Sequence, residues 1–184
     1  MTHIGALVLA LACGLAVAAC GGDDTGGSSE MKRFEDAGAS VEYPASWTTR
    51  GPSAEEEKDG LRLIASGPEL DEGIPFRVTL FRQDSDYASI AQYGKVVAGR
   101  RAFDLNDGKI VDDREIEVMG RPEGGWIVLT DYTFVDESGP EIPGRWIDVL
   151  ARSGTQQFRL TLTGPRERME DPEVERIMRS LRVG

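Results

Sequence analysis

The sequence predicts an α+β domain, an antiparallel β-sheet with helices packed on both faces, and three observations predict it. Four strand-like segments follow one another between Lys109 and Thr163 with only tight-turn chemistry between them, and short connections make consecutive strands antiparallel neighbours. The middle segments carry apolar side chains on both faces, Trp126, Val128, Tyr132 and Phe134 against Ile127, Leu129 and Val135, so both faces of the sheet need a cover. Near its end the chain places Val174, Ile177, Met178 and Leu181 at i, i+3, i+4 and i+7, the apolar stripe of a helix laid on a sheet.

The first element is not part of that domain. Ile4 to Val17 is an apolar run that leads into Val17-Ala18-Ala19-Cys20 and then into Gly21-Gly22-Asp23-Asp24. A short apolar stretch ending in small residues is an export signal and its cleavage site, too short and wrongly flanked for a spanning helix. Cysteine after the small residues resembles the bacterial lipobox. That resemblance implies removal of residues 1–19 and acylation of Cys20, which becomes the first residue of a lipid-anchored, extracytoplasmic protein at the cell membrane. The run lacks a Lys or Arg before it, His3 being the one group there able to carry positive charge. Cys13 is the weaker alternative, because cutting there leaves an apolar terminus, Gly14-Leu15-Ala16-Val17. Residues 20–30 hold the acylated cysteine and a tether of Gly, Ser, Thr and acid, with a root-mean-square span of about 17 Å.

Residues 31–184 are expected to form one domain, long enough for a proper core. Val41 and Tyr43 alternate with Ser40 and Glu42 until Pro44 stops the ladder. Leu61, Leu63 and Ala65 form a second strand and Phe76, Val78 and Leu80 a third; Arg50 to Gly60, between the first two strands and centred on Ala54 to Gly60, is an outer loop or a single helical turn. Asp84-Ser85-Asp86 offers N-cap side chains to a helix ending near Arg101, with Tyr87, Ile90, Ala91, Val97 and Ala98 along one side. The meander strands follow, at about Lys109 to Met119, Trp126 to Val135, Arg145 to Arg152 and Gln157 to Thr163, divided by Gly- and Pro-rich turns. Asp171 is placed to cap the last helix, with Pro172 at its first position.

The net charge is −11, with seventeen arginines and four lysines interleaved among thirty-two acids. A nucleic-acid partner needs a clustered basic surface, which this pattern does not provide. Repulsion from an anionic leaflet also means that a lipid, not electrostatics, would have to hold the domain at a membrane.

The order of elements, with Tyr43-Pro44-Ala45-Ser46-Trp47 at a strand end and Ile177-Met178-Arg179-Ser180-Leu181-Arg182-Val183 at the close, resembles the PsbP-like superfamily. That group includes the photosystem subunit PsbP, Ran-binding Mog, and lipoproteins of the DcrB and LpqN types. The resemblance covers residues 31–184 and rests on packing motifs. It implies an α/β/α sandwich and a non-enzymatic role in binding or in supporting an assembly, and it carries over no functional residue, since members bind unrelated partners through different surfaces.

Little catalytic chemistry is offered by the residue types. Once residues 1–19 are removed and Cys20 is acylated, no histidine and no thiol remains, which removes Ser-His-Asp and Cys-His catalysis and His-bearing zinc sites. Lys32, Lys58, Lys95 and Lys109 are the bases left to a Ser-Lys hydrolase, and none lies in an S-x-x-K setting. Glu115, Glu117, Asp131 and Asp148 could form a paired-acid site only if two of them faced each other across a cleft; the plainer expectation is solvent-facing strand positions or partners for arginine. Asp104-Leu105-Asn106-Asp107-Gly108 echoes a calcium loop but puts glycine one place early, and an Asp-Gly turn is the simpler reading. Trp47, Trp126 and Trp146 are expected in packing. The sequence therefore predicts no catalytic, cofactor or metal residues, lipidation at Cys20, and a non-catalytic binding protein with an envelope protein as partner. The alternative is a carrier of a lipid or other apolar molecule, held between sheet and helix.

Overall fold

The computed structural model describes residues 30–36, 38–68, 76–84, 86–105, 107–120, 122–135 and 141–184. The export signal, Cys20 and the tether as far as Ser29 lie outside these residues. Alternation and turn chemistry produce the meander as expected. Strands β6 (Lys109–Ile116), β8 (Gly124–Val135), β9 (Glu141–Ser153) and β10 (Gln156–Pro165) pair antiparallel in that order. Beyond β10 the sheet continues through β5 (Arg77–Asp84) and β4 (Leu61–Ser66) to the three-residue β3 (Thr48–Arg50), seven strands in all.

A second, four-stranded sheet was not legible in the sequence. It is built from β1 (Met31–Asp36), β2 (Ala39–Pro44), β11 (Arg182–Val183) and β7 (Met119–Gly120). β11 lies between β2, to which it is antiparallel, and β7, to which it is parallel. Gly120 is required there: its φ is +108°, and a Cβ would stand 1.9 Å from the carbonyl oxygen of Val183.

The two faces of the large sheet are covered differently. Helix α2 (Ile90–Asp104) lies on β6 and β8, burying Tyr93, Val97 and Ala98 against Val128 and Leu150. The opposite face, with Leu63, Val78, Leu80, Ile127, Ile147, Val149, Phe158, Leu160 and Leu162, packs on the four-stranded sheet and on Val174, Ile177 and Leu181 around helix α3 (Pro172–Arg179). The expected helix on each face is thus replaced on one side by a sheet and a helix together, because β1, β2, β7 and β11 supply apolar cover of their own, Ala39, Val41, Tyr43 and Val183. Among the described residues no helix is long and apolar enough to cross a membrane.

Local capping departs from the sequence reading twice. Helix α2 begins at Ile90, not after Asp86: Ser89 accepts from the Gln92 amide at 3.2 Å, and Tyr87 instead stacks on Tyr93 with ring centroids 5.2 Å apart. Asp171 stands at the N-cap of α3 but its carboxylate does not cap; it accepts from Arg168 Nε at 2.7 Å. The segment Ala54–Lys58 is a single-turn helix, α1, closed by a capping box between Ser53 and Glu56.

Glu56 also accepts two bonds from Arg50, each at 2.7 Å. This pair, helped by the Ser53 amide and hydroxyl, lowers the Glu56 carboxyl to about 2. The group's contribution is present above the ordinary carboxylate range and is lost as pH falls toward 2. Both side chains are in water, so the effect on stability is small. A carbon-detected NMR titration should place the Glu56 midpoint near 2, and Arg50→Ala should move it back toward the usual range.

Candidate functional site

A partly enclosed cavity lies between α3 and the inner face of the large sheet, beside β6 and β8. Met178 and Leu181 line it together with Ile127 and Val149, and Ile116 and Val118 complete its apolar part. The cavity holds about 350 Å³. Its rim is charged, with Arg114, Glu117, Glu175 and Arg179 around the mouth. Arg179 pairs with Glu175 at 2.7 Å and is itself well exposed; it also borders two open depressions nearby. An apolar floor with a few polar groups at the entrance is the general form of a small-molecule site, and this volume is at the small end of the usual range, about 300–1,000 Å³. From the sequence, Ile127, Met178 and Leu181 are packing residues and Glu117 a strand position, and a space between sheet and helix is only what the alternative carrier function would need. The signal for Ile116 and Val118 was weak, since both sit where β6 gives way to the short β7.

On the other face, α2 and the sheet enclose a polar cluster. Asp148, in β9 between Ile147 and Val149, is 0 % exposed. Arg101 of α2 donates to it twice, Nε to Oδ2 at 2.7 Å and Nη2 to Oδ1 at 3.0 Å, and the Thr161 hydroxyl donates to Oδ1 at 2.7 Å. The Arg101 guanidinium also lies 3.9 Å over the Trp146 ring. A carboxylate held by that many donors is an anchor for the helix, not a free base.

The residues singled out in the sequence do not converge. Asp131 lies on the opposite face of the sheet from Asp148, bound by Arg145 at 2.7 Å and approached by Arg166 at 3.4 Å. Its hydrogen bond to Arg145 raises the arginine's pKa. Asp131 and Asp148 are therefore both arginine partners, as the plainer expectation had it, though Asp148 is buried and not solvent-facing. Glu115 and Glu117 are in or next to β6, and Glu117 reaches only the rim of the cleft. Asp104 closes α2, and Asp107 takes a positive φ of 52° ahead of Gly108, a turn between helix and strand. Trp47 packs edge-on against Phe76 at 4.8 Å. Trp126 lies under α2 with its indole N–H on Asp113, a carboxylate that also binds Lys95.

No protein-family model matches the chain, and no curated protein matches it either. Solved structures do. The cyanobacterial PsbP, CyanoP, from Synechocystis sp. PCC 6803 superimposes with a TM-score of 0.58 at 10% identity, covering 89% of this chain and 98% of its own. LpqN, described as involved in cell envelope biogenesis of Mycobacterium tuberculosis, gives 0.53 at 13% identity, covering 84% and 92%. The domain is thus a mixed α+β structure built on mostly antiparallel sheets. Its fold is the PsbP-like fold.

Proposed function

We propose that this chain is a lipoprotein anchored at the extracytoplasmic face of the cell membrane through an acylated Cys20, with a non-catalytic role in binding or in supporting an assembly. The observation that carries the reading is the order of the N-terminal segment: an apolar run, Val17-Ala18-Ala19-Cys20, and a polar tether ahead of a folded domain. The PsbP-like fold adds weight by analogy, one protein that shares it being described as involved in cell envelope biogenesis. Two or three acyl chains on one cysteine hold where a single chain would not. The partner would be another envelope protein.

The test is direct. Expressed in a bacterium, the full chain should lose residues 1–19, gain the mass of a diacylglyceryl group, and sediment with membranes. Cys20→Ser should remain uncleaved and unlabelled by a clickable palmitate analogue. A wild-type chain that keeps its first nineteen residues would sink the proposal.

The cavity beneath α3 favours a second reading, carriage of an apolar molecule with a polar end, because Ile116, Val118, Ile127, Val149, Met178 and Leu181 offer it apolar contacts beside a charged rim. Native mass spectrometry of the protein purified from an envelope should then show an adduct that is lost on unfolding. A clean mass would count against a tightly held cargo.

A further inference from the structure

Strand β6 ends the large sheet: β8 pairs with one side of it, and among the described residues no strand pairs with the other. Its ladder to β8 shifts register between Ile110 and Asp112 and then runs unbroken over residues 112–116. A bulge spoils an edge for further pairing, so the regular stretch after it is the part left open. Alternate amides along that stretch point away from β8 and have no sheet partner. Val111 and Met119, at either end, are 44% and 42% exposed, apolar side chains of the kind a protein keeps off a free edge unless something covers it.

The two faces of this edge differ. Ile116 and Val118 pack on the main core and line the cavity under α3. That lining runs from Val149 in β9 through Ile127 in β8 to Arg114 and Ile116 in β6, so the cavity reaches the open edge. Glu115 stands opposite Trp126, on the side of α2, and with Glu117 it borders one open depression beside the strand. Asp112 and Asp113 are matched by Arg114 and Lys95. Glu115 and Glu117 are exposed and form no ion pair with a described residue.

We propose that the free edge of β6 takes up an extended segment of a partner protein as an added strand, one apolar side chain entering the cavity under α3 and basic side chains meeting Glu115 and Glu117. In strand addition the main-chain bonds supply affinity and pockets for alternate side chains supply specificity. The added strand lies about 4.8 Å beyond β6, and its side chains alternate between the same two faces. A residue level with Ile116 therefore faces the cavity, and its neighbours face the two glutamates. The partner's segment accordingly reads Lys or Arg, a large apolar residue, Lys or Arg. A second copy of this chain does not suit the edge, because β6 laid on β6 would bring the unmatched glutamates together in chains that each carry −11. The site rests on the binding role given above and not on acylation of Cys20, so a failure to bind leaves the lipoprotein reading to the mass of the mature chain.

The experiment is a fluorescence-polarisation titration of the full chain, purified in detergent, with the labelled synthetic peptide acetyl-Thr-Val-Lys-Leu-Lys-Val-Thr-amide, empty micelles serving as the blank. Saturable binding at one per chain is expected, with amide hydrogen exchange slowed at alternate residues of 112–118. Aspartate in place of the peptide's leucine should weaken binding at least tenfold. The double variant Glu115→Lys/Glu117→Lys, two exposed changes that spare the core, should weaken it several-fold at low salt and little at high salt. N-methylation tests strand pairing without touching the protein: blocking one alternate set of peptide amides should abolish binding, and blocking the other should leave it. Absence of saturable binding, indifference to both methylations, or unchanged low-salt affinity in the double variant overturns the proposal. So does a free chain that dimerises with its β6 amides protected, which would give the edge to a second copy.

Discussion

Asp148→Ala is expected to cost about 3–5 kcal/mol of stability, the usual result of removing one partner from a buried ion pair. The carboxylate is wholly buried, and Arg101, the partner that bonds it twice, is only 12% exposed. Its removal leaves Arg101 and Arg159 facing each other with no anion between them and strands the Thr161 hydroxyl, itself 2% exposed. For a domain of this size the melting temperature should fall on the order of 10 °C. Chemical denaturation checks it, with the double variant Arg101→Met/Asp148→Leu as the control. Because an apolar pair of similar volume is often as stable as a buried ion pair, the double variant should recover much of the loss. A single variant within about 1 kcal/mol of the wild type would mean that water already reaches the pair.

Gly94→Ala is expected to cost about 1–3 kcal/mol by overpacking. A Cβ on Gly94 would stand 2.3 Å from the Trp126 ring. Exposed glycine-to-alanine changes inside helices usually stabilise, by about 0.5–1 kcal/mol, so the sign itself is diagnostic. Trp126 cannot easily retreat, since Asp113 holds its indole N–H and Lys95 lies over its ring at 5.3 Å. The expected response is a lifted α2 and quicker hydrogen exchange at Val97 and Ala98. Gly99, on the same helix, supplies the contrast: an added Cβ there would meet nothing within 4 Å, so Gly99→Ala should stabilise.

What the sequence disclosed followed from period and punctuation. The meander strands alternate or run apolar between Gly- and Pro-rich turns, and α3 repeats every three or four residues, so both were visible. The four-stranded sheet was hidden for the opposite reason. In β1, Met-Lys-Arg-Phe-Glu-Asp, only Met31 and Phe34 are apolar, three apart and on no common strand face, while β7 and β11 have two residues each, too few for any pattern. Those strands exist because neighbours distant in sequence supply the pairing. The polar cluster was half visible. An acid between Ile147 and Val149 is conspicuous in an apolar strand, but its partners lie 47 and 13 residues away, beyond the reach of any local spacing rule. The cleft under α3 is hidden in the same way, since β6, β8, β9 and α3 each contribute only part of its wall.

The position of β11 between β2 and β7 has a kinetic meaning. Ser180, just before it, accepts from the Glu42 amide across 138 residues of chain and donates to the Ile177 carbonyl, so the four-stranded sheet closes through some of the longest-range contacts in the fold. Long loops must be closed before such contacts reward the chain, and proteins rich in them fold slowly. The meander, whose neighbours are joined by short turns, can assemble first, leaving Leu160, Val149 and Ile127 bare until β2 and β11 arrive. In the native state Val41 and Val183 are fully buried in the main core, so once closed the small sheet is held as firmly as the meander it covers, however late it forms.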